Sequence, residues 1–100
     1  MASTLKILNA SNNCGIDQDI INNLHLVELN ANNNSKIINV THMASTLKNL
    51  NANWDCGIDQ DGINNLHLVE LNASDNPKIK NVTHMASTLK ILNANFNFEK

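Results

Sequence analysis

Two cysteines and four histidines are the side chains of this sequence best suited to chemistry, and they recur at a fixed spacing. Cys14 and Cys56 are 42 residues apart, and the histidines repeat with the same interval, at His25, His42, His67 and His84. A catalytic site needs different groups that converge on one point, with nucleophile, base and orienting group within hydrogen-bond reach. A periodic copy delivers the same group to parallel points instead, so the sequence predicts a protein that is not an enzyme.

The acidic segment Asp59-Gln60-Asp61-Gly62 has the opening pattern of a calcium loop. A complete loop adds a third acidic ligand, a differently spaced glycine and a closing glutamate, and these are missing here. Aspartates in such a segment are expected to cap a turn or a helix by accepting hydrogen bonds from free backbone amides. The sequence therefore predicts no bound metal and no cofactor.

The overall composition restricts the partners and the location of the chain. Its 100 residues are 42% hydrophobic and carry a formal net charge of -2. Basic residues neither outnumber the acidic ones nor cluster, so we expect no nucleic-acid binding. No apolar run approaches the roughly 18 residues of a membrane span, and the amino-terminal residues do not have the pattern of a signal peptide. A cytoplasmic protein without a membrane segment is the expectation.

The spacing of cysteines and histidines belongs to a repeat that covers the chain. The segment MASTLKILNA begins at Met1, returns with one change at Met43 and returns unchanged at Met85; residues 1–42 match residues 43–84 at 33 of 42 positions. A shorter period of 21 lies inside it, because the phrase Leu-x-x-Leu-Asn-Ala begins at Leu5, Leu26, Leu47, Leu68 and Leu89. A fixed period of this length indicates a repeat architecture.

Extended over the repeat, the pattern is L-x-x-L-x-A-x-x-N-x-x-I. It resembles the leucine-rich repeat family, whose segment L-x-x-L-x-L-x-x-N/C-x-L forms a short strand and a turn. The resemblance spans residues 5–97, although Ala replaces the third Leu and one extra residue precedes the Ile. It implies an α/β solenoid, a right-handed coil with a five-stranded parallel sheet on its concave face and 3₁₀, short helical or irregular turns on its convex face. The phrases are also similar to repeat arrays of giant viruses and amoebae.

The alternation within the phrase predicts the same sheet. Leu8 and Ala10 alternate with Asn9, so a strand there turns Leu and Ala inward and Asn outward. Each strand is followed by a return of about 15 residues, which makes successive strands parallel. We therefore predict a single domain over residues 1–100, without clear capping repeats and with strands that start near Leu5, Leu26, Leu47, Leu68 and Leu89.

The returns between strands come in two kinds, which accounts for the doubled period. The return that begins at Ser35 has apolar residues every three positions, at Ile37, Val40 and Met43. This spacing suits a 3₁₀ turn, in which residues i and i+3 lie on one side. The return that begins at Cys14 fits either a short helix or an irregular turn.

A polar residue recurs at the bend after each strand, where it can satisfy backbone groups whose burial without a partner costs on the order of 1 to 3 kcal/mol. We predict a structural ladder there, formed by Asn13, Asn34, Asp55, Asn76 and Asn97. Cys14 and Cys56 follow at equivalent positions two turns apart, so their Cα atoms are expected about 10 Å apart, beyond the reach of a disulfide. Two free thiols at the bends favour a reducing compartment.

The outward face of the predicted sheet is rich in side-chain amides, which supply donors and acceptors at low charge. The candidate binding face consists of Glu28, Asn30, Asn32, Asn49, Asn51, Asn53, Glu70 and Asn72. Trp54 and Phe96 fill one column two turns apart, and exposed aromatics at that edge are a candidate hot spot. An alternative stays open for the amides, because amide ladders also stack on in-register parallel strands and stabilise them.

The resemblance implies a non-catalytic scaffold that recognises a protein through its concave sheet. Uncapped end strands present unpaired edges, so we expect self-association through an end, as a dimer. The alternative is a structural role, since near-identical copies also fit a designed, reassembled or fragment array with no natural ligand. The sequence does not identify a protein partner.

Overall fold

One parallel sheet of five short strands organises the protein in a computed structural model that describes residues 5–12 and 15–93. The strands follow one another in the sheet in chain order. They are β1 (Ile7–Asn9), β2 (Glu28–Asn30), β3 (Asn49–Asn51), β4 (Glu70–Asn72) and β5 (Ile91–Asn93). The predicted five-stranded parallel sheet is thus confirmed, and each strand begins two residues after the leucine at which we expected it to start.

The register of the sheet follows the 21-residue period. Leu29 of β2 pairs with Leu8 on one side and with Leu50 on the other, and every other neighbouring pair keeps the same offset. The backbone ladder continues past the strands, because the Ala52 N–H donates to the Asn72 carbonyl at 2.7 Å and the Trp54 N–H donates to the Ser74 carbonyl at 3.0 Å. Equivalent residues of successive repeats therefore form columns that run across the sheet.

The return segments contain two kinds of short helix. In the first kind, α1 (Gln18–Ile21) and α2 (Gln60–Ile63) begin after an aspartate whose side chain accepts a hydrogen bond from a backbone N–H in the first turn. In the second kind, the segments Thr41–Met43 and Thr83–Met85 are 3₁₀ helices, as the three-residue apolar spacing predicts. In the part of the chain that the structure describes, no helix is both long enough and apolar enough to cross a membrane.

The core lies between the inward side of the sheet and the returns. Strand leucines such as Leu29 and Leu71 are buried against one another, together with return residues such as Ile37, Ile58 and Met43. Burying a side chain of this size stabilises the fold by about 1.5 to 3 kcal/mol. Alternate residues of each strand therefore face solvent, and these residues form the candidate site.

Candidate functional site

Glu28, Asn49 and Glu70 stand side by side on β2, β3 and β4, on the side of the sheet away from the buried leucines. The strand register pairs Asn49 with both glutamates. Glu28 is exposed, while Asn49 and Glu70 are half-buried. Within residues 5–12 and 15–93, neither carboxylate forms an ion pair or accepts a hydrogen bond. The sheet face therefore presents two available carboxylates on either side of an uncharged amide.

Exposed lysines come immediately before alternate strands of the sheet. Lys6, Lys48 and Lys90 are exposed and come immediately before β1, β3 and β5, while the glutamates belong to β2 and β4. Positive and negative side chains thus alternate from strand to strand across the sheet. Because exposed charges at this spacing are partly screened by salt, interactions among them contribute little to the stability of the fold.

The asparagines at the ends of β2, β3 and β4 form local hydrogen bonds through the oxygen of the side-chain amide. The Asn30 Oδ1 accepts a hydrogen bond from the Asn32 N–H at 3.0 Å, and the Asn51 Oδ1 accepts one from the Asn53 N–H at 3.2 Å. The same bond at Asn72 reaches the Ser74 N–H at 3.4 Å. Their Nδ2 groups donate to no residue that the structure describes. Each of these amides therefore stabilises the chain through its oxygen and offers two N–H donors to a ligand.

The two asparagines that follow this row differ in their hydrogen bonding. The Asn53 Oδ1 accepts from the Ser74 N–H at 2.7 Å, one turn further along. The Asn32 Oδ1 is buried and accepts no hydrogen bond from the part of the chain that the structure describes. Beside them lies a shallow depression of about 160 Å³. It is lined by two strand leucines and six residues of the candidate face, which are Leu29 and Leu50 with Glu28, Asn30, Asn49, Asn51, Glu70 and Asn72. The predicted face residues other than Asn32 and Asn53 thus surround one depression.

Asn34 and Asn76 occupy the bends after β2 and β4, and both are completely buried. The Asn34 Nδ2 donates to the Ala10 carbonyl at 2.7 Å and to the Ile16 carbonyl at 2.9 Å, and its Oδ1 accepts from the Lys36 N–H. Asn76 makes the equivalent bonds 42 residues later. Each amide therefore ties its own bend to the preceding turn of the chain. Asn13 and Asn97, also predicted for this ladder, lie outside the described residues.

Asp55 does not form the buried ladder contacts that the sequence predicts for it. Its side chain is exposed, and the next residue, Cys56, is completely buried. The physical reason is that an ionised carboxylate has no N–H to donate, so it cannot bridge two carbonyls as Asn34 does. Burial raises the pKa of the Cys56 thiol from 9.0 to about 11, against weaker lowering by a backbone hydrogen bond at Ile58 and by Lys78. The bend after β3 thus buries a protonated thiol, whereas the bends after β2 and β4 bury an amide.

Trp54 lies at the edge of the candidate face and is 57% exposed. Its φ is 61°, in the left-handed region, and the same column holds Asn12, Asn33 and Asp75 at φ angles of 62°, 59° and 60°. Asn and Asp tolerate this conformation because their short polar side chains bond locally, whereas other side chains pay about 1 kcal/mol or more for it. Trp54 is therefore an exposed aromatic residue with a strained backbone. The equivalent positions of the other described repeats hold Asn or Asp, which suit this backbone conformation. Phe96, its predicted companion, lies outside the described residues.

Gln18 and Gln60 join neighbouring returns, and the sequence reasoning missed both. The Gln18 Oε1 accepts from the Ile38 and Asn39 N–H groups at 2.8 Å, while its Nε2 donates to the Asn39 carbonyl at 2.7 Å. Gln60 makes the matching bonds to Lys80 and Asn81. The one available signal was the recurrence of Gln between two aspartates at the 42-residue spacing. These glutamines stabilise the returns and do not line the sheet face.

The histidines form two matching pairs on the returns. The rings of His25 and His42 meet edge to face with centroids 6.0 Å apart, and His67 and His84 repeat the arrangement at 6.4 Å. The His42 Nε2 lies 2.9 Å from the Ile21 carbonyl oxygen, so this nitrogen carries the proton and donates. Among the described residues, no group of three or more His, Cys, Asp or Glu side chains has the arrangement of a metal site.

A second depression, of about 470 Å³, lies on the returns. It is lined by Asp59, Gln60, Asp61, Pro77, Lys78 and Lys80. Asp59 caps α2 by accepting from the Gly62 N–H at 3.0 Å, which is the capping role expected of these aspartates. The depression therefore combines structural groups with side chains of both charges.

Comparison with known proteins adds no relative to this description. No family model, no curated protein and no solved structure matches the chain. Proposals about function therefore depend on the geometry of the sheet face and its edge.

Proposed function

We propose that this chain is a non-catalytic scaffold of the leucine-rich repeat type that binds a protein through the exposed face of its parallel sheet. The observation that carries the proposal is a row of outward polar groups on β2, β3 and β4 that have no partner among the described residues. The Asn30, Asn51 and Asn72 Nδ2 groups and the Glu28 and Glu70 carboxylates are all directed to one side of the sheet.

The dimensions and register support the solenoid part of the proposal. The molecule measures 42 by 26 by 19 Å, and its strands follow one another in chain order at a constant 21-residue offset. In a solenoid each repeat contacts only its neighbours, and the sheet forms an extended concave binding surface. An elongated body with one strand per repeat is what such a coil requires.

The chemistry of the face suits the backbone of a polypeptide. Amide Nδ2 groups donate to carbonyl oxygens, and carboxylates accept from N–H groups or pair with cations. Neighbouring donors are separated by the strand spacing of about 4.8 Å, so one segment can meet several of them. We infer that a partner is bound by several moderate polar contacts instead of one deep pocket.

The cysteine and histidine environments support a role without catalysis. Cys56 is completely buried and its pKa is raised to about 11, so its thiol is protonated and inaccessible to a substrate. His42 uses its Nε2 to donate to a carbonyl. The depression on the sheet face contains acids and amides, without a Ser, Cys or His that could act as a nucleophile or base.

A capture experiment with matched variants tests this proposal. The face variant carries Glu28→Gln, Asn49→Ala and Glu70→Gln, and the control variant carries Asn23→Ala, Ser45→Ala and Asn65→Ala at exposed positions of the returns. We expect a protein from a cell extract to be retained by the wild type and the control and lost from the face variant. Retention of the same proteins by all three, with equal melting temperatures, would contradict binding through the sheet face.

A structural, self-associating array is the second candidate, and one observation favours it. Ile7 and Ile91, on the first and last strands of the sheet, are 64% and 50% exposed. Apolar side chains on a strand at the edge of a sheet promote association between copies. Sedimentation at about 100 μM tests the second candidate, because a monomer at that concentration contradicts a self-associating array.

A further inference from the structure

Trp54 and two carboxylates form an acidic aromatic patch at the edge of the sheet face. The Trp54 N–H donates to the Ser74 carbonyl, which places Asp75 beside Trp54 in the next turn. Asp55 follows Trp54 directly and is exposed, and Asp75 is half-buried. Neither carboxylate forms an ion pair or accepts a hydrogen bond within the described ranges. The exposed Trp54 therefore has one carboxylate at the next position of the chain and a second in the adjacent turn.

We propose that this patch, defined by Trp54, Asp55 and Asp75, binds a cationic side chain, arginine or lysine, of the partner protein. The negative face of an indole ring attracts a cation within about 6 Å, and nearby carboxylates strengthen that attraction. The inference rests on the proposed function, because it names the chemistry of the partner that the sheet face binds.

The backbone of Trp54 supports a binding role for the side chain. Its left-handed φ is unfavourable for tryptophan, while the Asn and Asp residues of the same column adopt it at a lower cost. Backbone strain at an exposed residue is typical of binding sites. There the side chain is kept for its contact with a ligand and not for the stability of the fold. The Trp54 ring makes no aromatic contact with another described residue that would stabilise it in place.

Two lysines affect where a cationic side chain can bind along β3. Lys48 stands next to Asn49 at the start of β3 and repels a positive side chain there. Lys78 donates from its Nζ to the Cys56 carbonyl at 2.9 Å, two residues after Trp54, so one positive charge lies near the patch against the two carboxylates of Asp55 and Asp75. From Asn49 to Asn53, the residue before Trp54, an extended chain covers about 13 Å. A partner segment lying along β3 is therefore bound by the amides and places its cationic side chain over Trp54.

Trp54 is the single tryptophan of the chain, so its fluorescence reports on this patch alone. The probe is the peptide acetyl-Arg-Ser-Arg-Ser-Arg-amide, and its counterpart carries citrulline, which keeps the shape of arginine without the charge. We expect a saturable change in emission with the arginine peptide and about fivefold or weaker binding of the citrulline peptide. Equal binding of the two peptides, or no saturable change, would overturn the proposal.

Two matched variants separate this patch from general electrostatic attraction. Asp75→Asn removes a charge beside Trp54, and Asp61→Asn removes the same charge from an exposed position on α2. We expect about threefold weaker binding of the arginine peptide to Asp75→Asn and unchanged binding to Asp61→Asn. Equal losses for the two variants would contradict a site at Trp54.

The capture experiment distinguishes failure of this inference from failure of the proposed function. If a captured partner is lost from the face variant but retained by Trp54→Asn and Asp75→Asn, the sheet face binds a protein and the cation site is refuted. If the face variant retains every protein, the proposed function itself is refuted.

Discussion

The asparagines of the bends and the asparagines of the sheet face come from the same repeat but are used in opposite ways. Asn34 and Asn76 are completely buried and use the Nδ2 and the Oδ1 of their amides. Asn51, on the face, accepts through its Oδ1, and its Nδ2 donates to none of the described residues. The difference shows that position in the turn, and not residue type, decides whether an amide bonds within the fold through both its nitrogen and its oxygen or through its oxygen alone.

The alternate bend makes the comparison sharper. In the column of Asn34 and Asn76 it carries Asp55, which is exposed, and the following Cys56 is buried in its place. This bend also contains the exposed Trp54 in its strained conformation. Bends with a buried amide therefore hold neighbouring turns together, while the bend with a buried thiol directs a large aromatic and an acid to solvent.

The largest expected effect is the loss of a bend amide. Asn76→Ala removes two donors to buried carbonyls and leaves both unpaired, so we expect the free energy of unfolding to fall by about 3 kcal/mol in urea titrations. The matched control is Asp55→Asn, in the same column but exposed, which should change stability by less than about 0.5 kcal/mol. Similar effects of the two substitutions would show that the bends do not differ.

The buried thiol of Cys56 is expected to make the stability of the protein depend on pH, which the buried amides of Asn34 and Asn76 do not. The unfolded thiol ionises near 9.0 and the folded one near 11, so the unfolded state releases its proton first as pH rises. The free energy of unfolding is therefore at its full value below pH 9 and falls as the pH rises toward 11. The total decrease is about 2 to 3 kcal/mol. Urea titrations of wild type and Cys56→Ala measure it, and an equal loss in both would exclude Cys56 as its source.

A gain in stability is expected at the strained tryptophan. Trp54→Asn introduces a residue suited to the left-handed region, so the free energy of unfolding should rise by about 1 kcal/mol. Thermal unfolding followed by circular dichroism measures the change. A fall in stability would mean that the indole ring packs as part of the fold, which contradicts the role we assign to it.

The smallest effect is expected for an amide of the sheet face. Asn51→Ala removes one acceptor for the Asn53 N–H, which is partly exposed to water, so the loss should be below about 1 kcal/mol. The ratio of this loss to that of Asn76→Ala measures how far the two sets of asparagines differ.

Much of the sheet was predictable from the sequence, because alternation of Leu with Asn at a 21-residue interval determines strand direction and face. The columns that contain Asn34, Asn51 and Trp54 were also visible. The exposure of Asp55 was not, since a period does not distinguish a side chain that donates from one that only accepts. The left-handed column had a signal in Asn12, Asn33 and Asp75, residue types that favour positive φ.

The bridges of Gln18 and Gln60 escaped prediction for a different reason. Each glutamine bonds to backbone groups about one repeat away, at Ile38 and Asn39 for Gln18. Nothing in the residue types of those partners identifies them, because any residue supplies a backbone N–H and carbonyl. Only the three-dimensional stacking of the returns brings the two segments together.

Hydrogen exchange of the side-chain amides, followed by NMR on the isotope-labelled protein, tests the division between the two sets of asparagines most directly. The account predicts slow exchange of the Nδ2 protons of Asn34 and Asn76, which are buried and bonded to carbonyls. It predicts rapid exchange at Asn30, Asn51 and Asn72, whose Nδ2 groups donate to no described residue. Face amides as protected as those of the bends would contradict the account and make the whole set a structural ladder.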